Sequence, residues 1–147
     1  MSAIIAFTNY FQAFEAAVAT GRWEDVADHL AEDVHYAVLN VPFACELKGR
    51  NQVVAGMQRS LANFDHHMDA RLLDIVSLSR LDETRLRAEL VSGYERGDAA
   101  LRIPVSMDIR AVDGRITELT DIYDPTWVAG ALSWLATHAS DLDPSYQ

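Results

Sequence analysis

A chain of 147 residues, half of them hydrophobic and 23% charged, has the size and make-up of one soluble domain with a substantial core. Its formal net charge of −10, with Lys48 the only lysine and the arginines scattered among acids, argues against a nucleic-acid surface, which rests on clustered cations. No apolar run approaches the ~18 residues of a membrane span, and the lone Cys45 excludes an intramolecular disulfide and a cysteine-based zinc cluster.

The stretch Met1 to Phe7 lacks a basic region and soon turns polar, which predicts no secretory signal and a cytoplasmic location. Phe7, Phe11, Phe14 and Val18 then fall on one helical stripe, with Tyr10 and Ala17 beside them, and Gly21 stops that helix. A short helix follows over Trp23–Leu30. Val34–Val38 reads as a strand that runs into a loop around Asn40, Pro42 and Phe43. Cys45 reads as a small, partly buried residue with no base beside it in sequence. A third helix opens at Gly49-Arg50-Asn51 and runs to about Phe64, with Asn51 as its cap.

After residue 66 the pattern turns to strands. Met68–Leu81 and Thr84–Glu95 flank a turn at Asp82-Glu83, and Arg96-Gly97-Asp98 forms the next turn. Leu101, Ile103, Val105, Met107 and Ile109 alternate with Arg102, Pro104, Ser106, Asp108 and Arg110, the mark of a strand with one buried face. Arg85, Arg87, Glu89, Arg102, Ser106 and Asp108 fall on the outward faces. Asp113-Gly114 is a hairpin turn leading into the last strand. A final helix spans about Pro125–His138, burying Val128, Leu132 and Leu135, with Trp127 and Trp134 able to shape a cavity mouth. Residues 141–147 read as a frayed tail on a single domain. Helices first and hairpin-linked strands after predict an α+β fold, a curved antiparallel or mixed sheet wrapped around the N-terminal helices.

The last strand carries the chemistry. Asp121 lies between Leu119 and Tyr123, and side chains two apart share a strand face. A carboxylate among apolar neighbours has its ionised form disfavoured and can exchange protons near neutral pH. The alternative is an Asp hydrogen-bonded or hydrated near a strand end. No pair among the five histidines has the spacing of a helical metal motif, and the adjacent His66 and His67 would point to opposite faces of a strand.

The order of elements, with Ala31-Glu32-Asp33-Val34, Lys48-Gly49-Arg50 and Asp113-Gly114-Arg115-Ile116-Thr117-Glu118 leading to Asp121-Ile122-Tyr123-Asp124, resembles the SnoaL-like polyketide cyclase branch of the nuclear transport factor 2-like superfamily over nearly the whole chain. The resemblance implies a cone-shaped α+β barrel, a homodimer, and an apolar pocket for a small apolar or polyketide-like molecule. It implies no cofactor and no metal. In the cyclases an Asp at the place of Asp121 removes an acidic proton, and Tyr36 is the companion donor for the enolate. Tyr10, Phe14, Asn40, Leu90, Ile103, Val105, Met107, Leu119 and Tyr123 are the expected pocket residues.

Other members of the superfamily fit less well. Limonene-epoxide hydrolase pairs its Asp with an Arg-x-Asp on a neighbouring strand, and ungapped counting puts that pair at Ala88 and Leu90. Arg96-Gly97-Asp98 falls instead in a turn, leaving the hydrolase triad incomplete. The base of ketosteroid isomerase corresponds to Val38 or an apolar neighbour, although Tyr10 resembles its oxyanion-binding Tyr. The remaining alternatives are a non-catalytic module that binds an apolar ligand and an interaction protein whose sheet face makes a dimer and whose pocket is vestigial.

Overall fold

The computed structural model describes residues 2–147. Helix α1 (Ala3–Thr20) starts on the Ser2 hydroxyl, which accepts from the Ile5 amide, and ends where Gly21 turns left-handed at φ 80°. Helix α2 covers only Trp23–Ala27. Strand β1 (Leu30–Leu39) therefore begins four residues earlier than the apolar pattern predicts, because Leu30 is already paired with Ile116 across a bulge that displaces residues 31–34. Strand β2 (Cys45–Lys48) was missed in the sequence, being too short to show an alternation. Helix α3 (Arg50–Asn63) is preceded by Gly49 at φ 91°, with no side-chain cap. Asn51 thus lies inside the first turn rather than at the cap.

A 3-10 turn (Asp65–His67) leads to β3 (Ala70–Arg80), β4 (Arg85–Arg96), β5 (Ala99–Val112) and β6 (Arg115–Tyr123). Both histidines of that turn are exposed. Asp113 and Gly114 both take positive φ, as a two-residue hairpin that follows the strand twist requires. Helix α4 (Pro125–His138) is capped by Asp124, whose carboxylate accepts from the Thr126 amide, with Pro125 in the first turn.

The six strands form one open sheet in the order β2-β1-β6-β5-β4-β3, antiparallel except where β1 runs parallel to β6. Extra residues in β1, β3 and β6 shift the register and bend it. Its concave face packs Leu86, Ala88, Leu90, Val105, Met107, Ile109 and Leu119 against Ala6, Phe7 and Tyr10 of α1 and Val53, Met57 and Leu61 of α3. Complete burial of Phe7 stabilises the fold by roughly 2–3 kcal/mol. On the convex face Arg87 makes a two-point ion pair with Asp108 across β4 and β5, and Ser106 donates to Glu89. The fold is thus the expected α+β cone. No helix among the described residues is long and apolar enough to cross a membrane.

The C-terminal segment departs from the frayed tail that its polarity suggests. Arg96 grips Asp141 with two hydrogen bonds, Ser60 donates to the Pro144 carbonyl, and Arg59 donates to the Tyr146 carbonyl. The Tyr146 ring stands edge-on to Tyr36 at 5.5 Å. One aromatic anchor on β1 and three polar latches, two from α3 and one from β4, hold a segment without regular structure in place. Gly56 makes room for it, since a Cβ there would lie 3.0 Å from the Tyr146 carbonyl oxygen.

Candidate active site

The concave face of the sheet is not filled at its open end, and a cavity of about 130 Å³ remains between it, α1, α3, α4 and the C-terminal segment. That is on the order of ten times the space one water needs. The wall is mostly apolar: Phe11, Phe14, Phe43, Phe64 and Met57 with aliphatic side chains of β3, β5 and α4. All five tyrosines of the chain (Tyr10, Tyr36, Tyr94, Tyr123 and Tyr146) line it. Helix α4 closes its side with Val128, Ala131, Leu132 and Leu135, while Trp127 and Trp134 lie off the wall.

Asp121 sits on the inner face of β6, opposite Val38 of β1 and Met107 of β5. Tyr36 of β1 lies opposite Leu119, one side-chain step along the same face. Its hydroxyl donates to Asp121 Oδ2 at 2.7 Å. Oδ1 is enclosed and has no hydrogen-bond partner among the described residues. The residue as a whole is half-buried, but its Oδ1 is enclosed and it faces a mostly apolar cavity, so desolvation governs its ionisation. Burial pushes the carboxyl up to about 6, against the opposing pull of the Tyr36 hydrogen bond. Burial first, and then the charge of Asp121, raise Tyr10 and Tyr36 well above the ordinary phenol value. The Tyr94, Tyr123 and Tyr146 hydroxyls are likewise raised, mainly by burial. Every phenol of the cavity is a proton-bearing donor at neutral pH.

Of the residues expected in the pocket, Tyr10, Phe14, Tyr36, Ile103, Val105, Met107, Leu119, Asp121 and Tyr123 all stand on the cavity wall. Leu90 does not. It faces inward but is consumed by core packing at 1% exposure. Asn40 is turned out at the end of β1 with φ 71°, and its amide donates to the Tyr123 carbonyl, so it steadies the strand end instead of facing a ligand. The Tyr36 proton is engaged by Asp121, which removes it as a free donor to a ligand oxygen. Arg96-Gly97-Asp98 occupies the β4–β5 hairpin, with Gly97 at φ 60° and Arg96 bound to Asp141. Ala88 pairs with Met107, which pairs with Asp121, so the position two strands from the carboxylate is apolar. Cys45 is buried, its thiol pushed up to about 11 chiefly by burial.

Sequence reasoning missed Tyr94, Tyr146, Ser92 and the pair Asp65 and Arg71, all on the wall. Tyr94 and Ser92 follow the inward alternation of β4 and were within reach of a pattern argument. Tyr146 was not, because nothing local marks a polar tail as packed.

The arrangement is shared with known folds. One structural relative is an NTF2-like protein of Burkholderia thailandensis, 13% identical, with a TM-score of 0.69 over 90% of this chain and 98% of that one. The fold is that of the nuclear transport factor 2-like superfamily. The same fold is seen in an LEH-like epoxide hydrolase of M. tuberculosis, 21% identical with a TM-score of 0.62 over 87% of this chain and 90% of that one. It is seen again in a putative polyketide cyclase of Xanthomonas campestris pv. campestris, 23% identical with a TM-score of 0.57 over 84% of this chain and 95% of that one. By sequence alone the chain matches no family model and no curated protein. At these identities the likeness speaks for the nuclear transport factor 2-like fold and not for a reaction.

Proposed function

We propose that the protein is a SnoaL-like small-molecule enzyme, a single domain acting as a homodimer, in which Asp121 is the general base of a proton transfer of the cyclase or isomerase type. One observation carries this reading: an enclosed carboxylate, raised to about 6, faces an apolar cavity with one oxygen held by Tyr36 and the other unpaired. A base with a value near the working pH combines a large ionised fraction with real basicity. The ligand is a small, largely apolar molecule with a C–H made acidic by a neighbouring carbonyl. Asp121 takes that proton, and the C–H electron pair becomes an enolate. The enolate then either takes a proton back at another carbon or forms a C–C bond to a second carbonyl, whose alkoxide recovers the proton. Neither route needs an oxidant or reductant. With Tyr36 committed to Asp121, the phenols of Tyr94, Tyr123 and Tyr146 are the donors on hand for the enolate oxygen. The apolar positions Ala88 and Leu90 weigh against the alternative, epoxide hydrolysis with an Arg-x-Asp pair.

The test is deuterium exchange at the carbon next to the carbonyl of 2-tetralone, followed by NMR. The native protein should accelerate exchange, and Asp121→Asn should slow it by about 10²-fold or more, the usual reach of a positioned base. Equal exchange by the two proteins sinks the reading. Retained tetralone binding with no exchange in either leaves a binding module.

A further inference from the structure

The cavity has a second polar pole that proton transfer does not use. Arg71 of β3 donates through Nε to Asp65 Oδ2 at 2.8 Å and through Nη1 to both oxygens of Glu15 at 3.1 and 3.3 Å. Its guanidinium also lies over the Phe14 ring, 5.7 Å from the centroid. The side chains of Arg71 and Asp65 are only 14% and 11% exposed. Both line the cavity, whereas Glu15 grips Arg71 from α1 behind the wall. Nη2 takes no part in these bonds, nor does Asp65 Oδ1 in the bond to Arg71. Withdrawing the Arg71 and Asp65 charges from water is costly even when they are paired, and apolar side chains of like volume would close the same gap between α1, the 3-10 turn and β3. Packing alone is therefore a poor account of the cluster.

Its position is fixed relative to Asp121. Strand β3 lies three strands from β6 in the sheet. The Tyr10 and Tyr94 hydroxyls feel charge from both poles, Tyr10 from Asp121, Glu15 and Arg71, and Tyr94 from Asp65, Arg71 and Asp121. The two poles thus line one cavity three strand steps apart, roughly 14 Å at the usual spacing of neighbouring strands, with Tyr94 of β4 between them.

The chemistry of the far pole selects its ligand group. One cation balanced by two carboxylates has no surplus positive charge, so a carboxylate or phosphate finds no counter-ion there. A neutral hydroxyl fits both partners, accepting from Nη2 and donating to Asp65. We propose that Arg71 and Asp65 form a hydroxyl-binding subsite, and that the cavity takes an aromatic molecule carrying an oxygen function at each end, one for Asp121 and one for this pair. The inference deepens the proton-transfer reading and rests on it only for the role of the near end.

Isothermal calorimetry with three probes tests it: 4,4′-biphenol, 4-phenylphenol and 4′-hydroxybiphenyl-4-carboxylate. The native protein should bind the diol about tenfold tighter than the mono-ol, the scale of one hydrogen bond to charged partners. The carboxylate should bind worst. Glu15→Gln/Asp65→Asn/Arg71→Met should lose the preference for the diol. Asp65→Asn alone leaves Arg71 with Glu15, and it should weaken the diol and improve the carboxylate. A native protein that binds the diol no tighter than the mono-ol, or binds the carboxylate best, overturns the subsite. So does a preference that survives in both variants. The two readings fail separately: Asp121→Asn should lose tetralone exchange and keep the diol preference, whereas the diol preference of the native protein and its loss in Asp65→Asn are read by calorimetry without any exchange.

Discussion

Tyr36 and Asp121, 85 positions apart in the chain, meet at 2.7 Å because β1 lies parallel to β6 with Tyr36 opposite Leu119 and Val38 opposite Asp121. That one-step offset on a shared face lets a phenol reach a carboxylate diagonally across two strands. The hydrogen bond favours the ionised form of Asp121 and so holds its value below where burial alone would leave it. Tyr36→Phe should therefore move the carboxyl midpoint above about 6, read from the carboxylate band in infrared difference spectra against Asp121→Asn. A midpoint that stays put or falls would mean that the bond does not govern the ionisation.

Asp121 should also cost stability. Its folded value, about 6, lies above the ordinary 3.8, so the folded chain holds this proton after the unfolded chain has released it. Stability from this group is present below about pH 4 and lost as pH rises through about 6, a cost on the order of 3 kcal/mol when complete. Asp121→Asn keeps an acceptor for Tyr36 without the charge. It should unfold at a higher temperature than the native protein at pH 8, by roughly 5–10 °C for a chain of this size. The gain should vanish near pH 4. Equal melting temperatures at pH 8 would show that water reaches the carboxylate.

The general plan was legible because it is written in local patterns. The alternation Leu101 to Ile109, the turn at Asp113-Gly114 and the stripe Phe7-Phe11-Phe14 each declare their element without help from distant residues. Asp121 was legible for the same reason, since Leu119 and Tyr123 are on its own strand. What failed depended on partners. Four-residue β2 exists because β1 offers it an edge, and Leu30 is a strand residue because Ile116 pairs with it. Leu90 has the same inward direction as Ser92, but only the depth of the core under it decides that Leu90 is packed and Ser92 lines the cavity. Nothing local marks Arg71 and Asp65, which meet only when β3 lays Arg71 against the 3-10 turn and α1.

Gly56 should be intolerant of even one methyl group. A Cβ there would approach Leu47 Cδ1 and stand 3.0 Å from the Tyr146 carbonyl oxygen. The leucine tip can rotate away, whereas the backbone oxygen moves only with the tail. Gly56→Ala gains helix propensity worth about 1 kcal/mol, yet overpacking of this kind costs typically 1–3 kcal/mol. The expected result is a net loss in urea unfolding together with faster proteolysis of the last residues. A more stable variant with a protected tail would show that the contact is slack.

Tyr146 should matter through its ring and not through its latch. The ring covers Tyr36 edge-on and forms part of the cavity wall, so Tyr146→Ala removes an aromatic side from the enclosure of Asp121. Water that enters there solvates the carboxylate, and the Asp121 midpoint should fall from about 6 toward the ordinary carboxylate range. The lost packing should cost about 2 kcal/mol, less than a fully buried aromatic because the side chain is half-buried. Arg59→Ala removes only an exposed hydrogen bond to the Tyr146 carbonyl, and it should cost under about 1 kcal/mol. The midpoint of Asp121 should not move in that variant. If Arg59→Ala lowered the midpoint as far as Tyr146→Ala does, the seal would depend on where the backbone is tied, and the ring would be incidental.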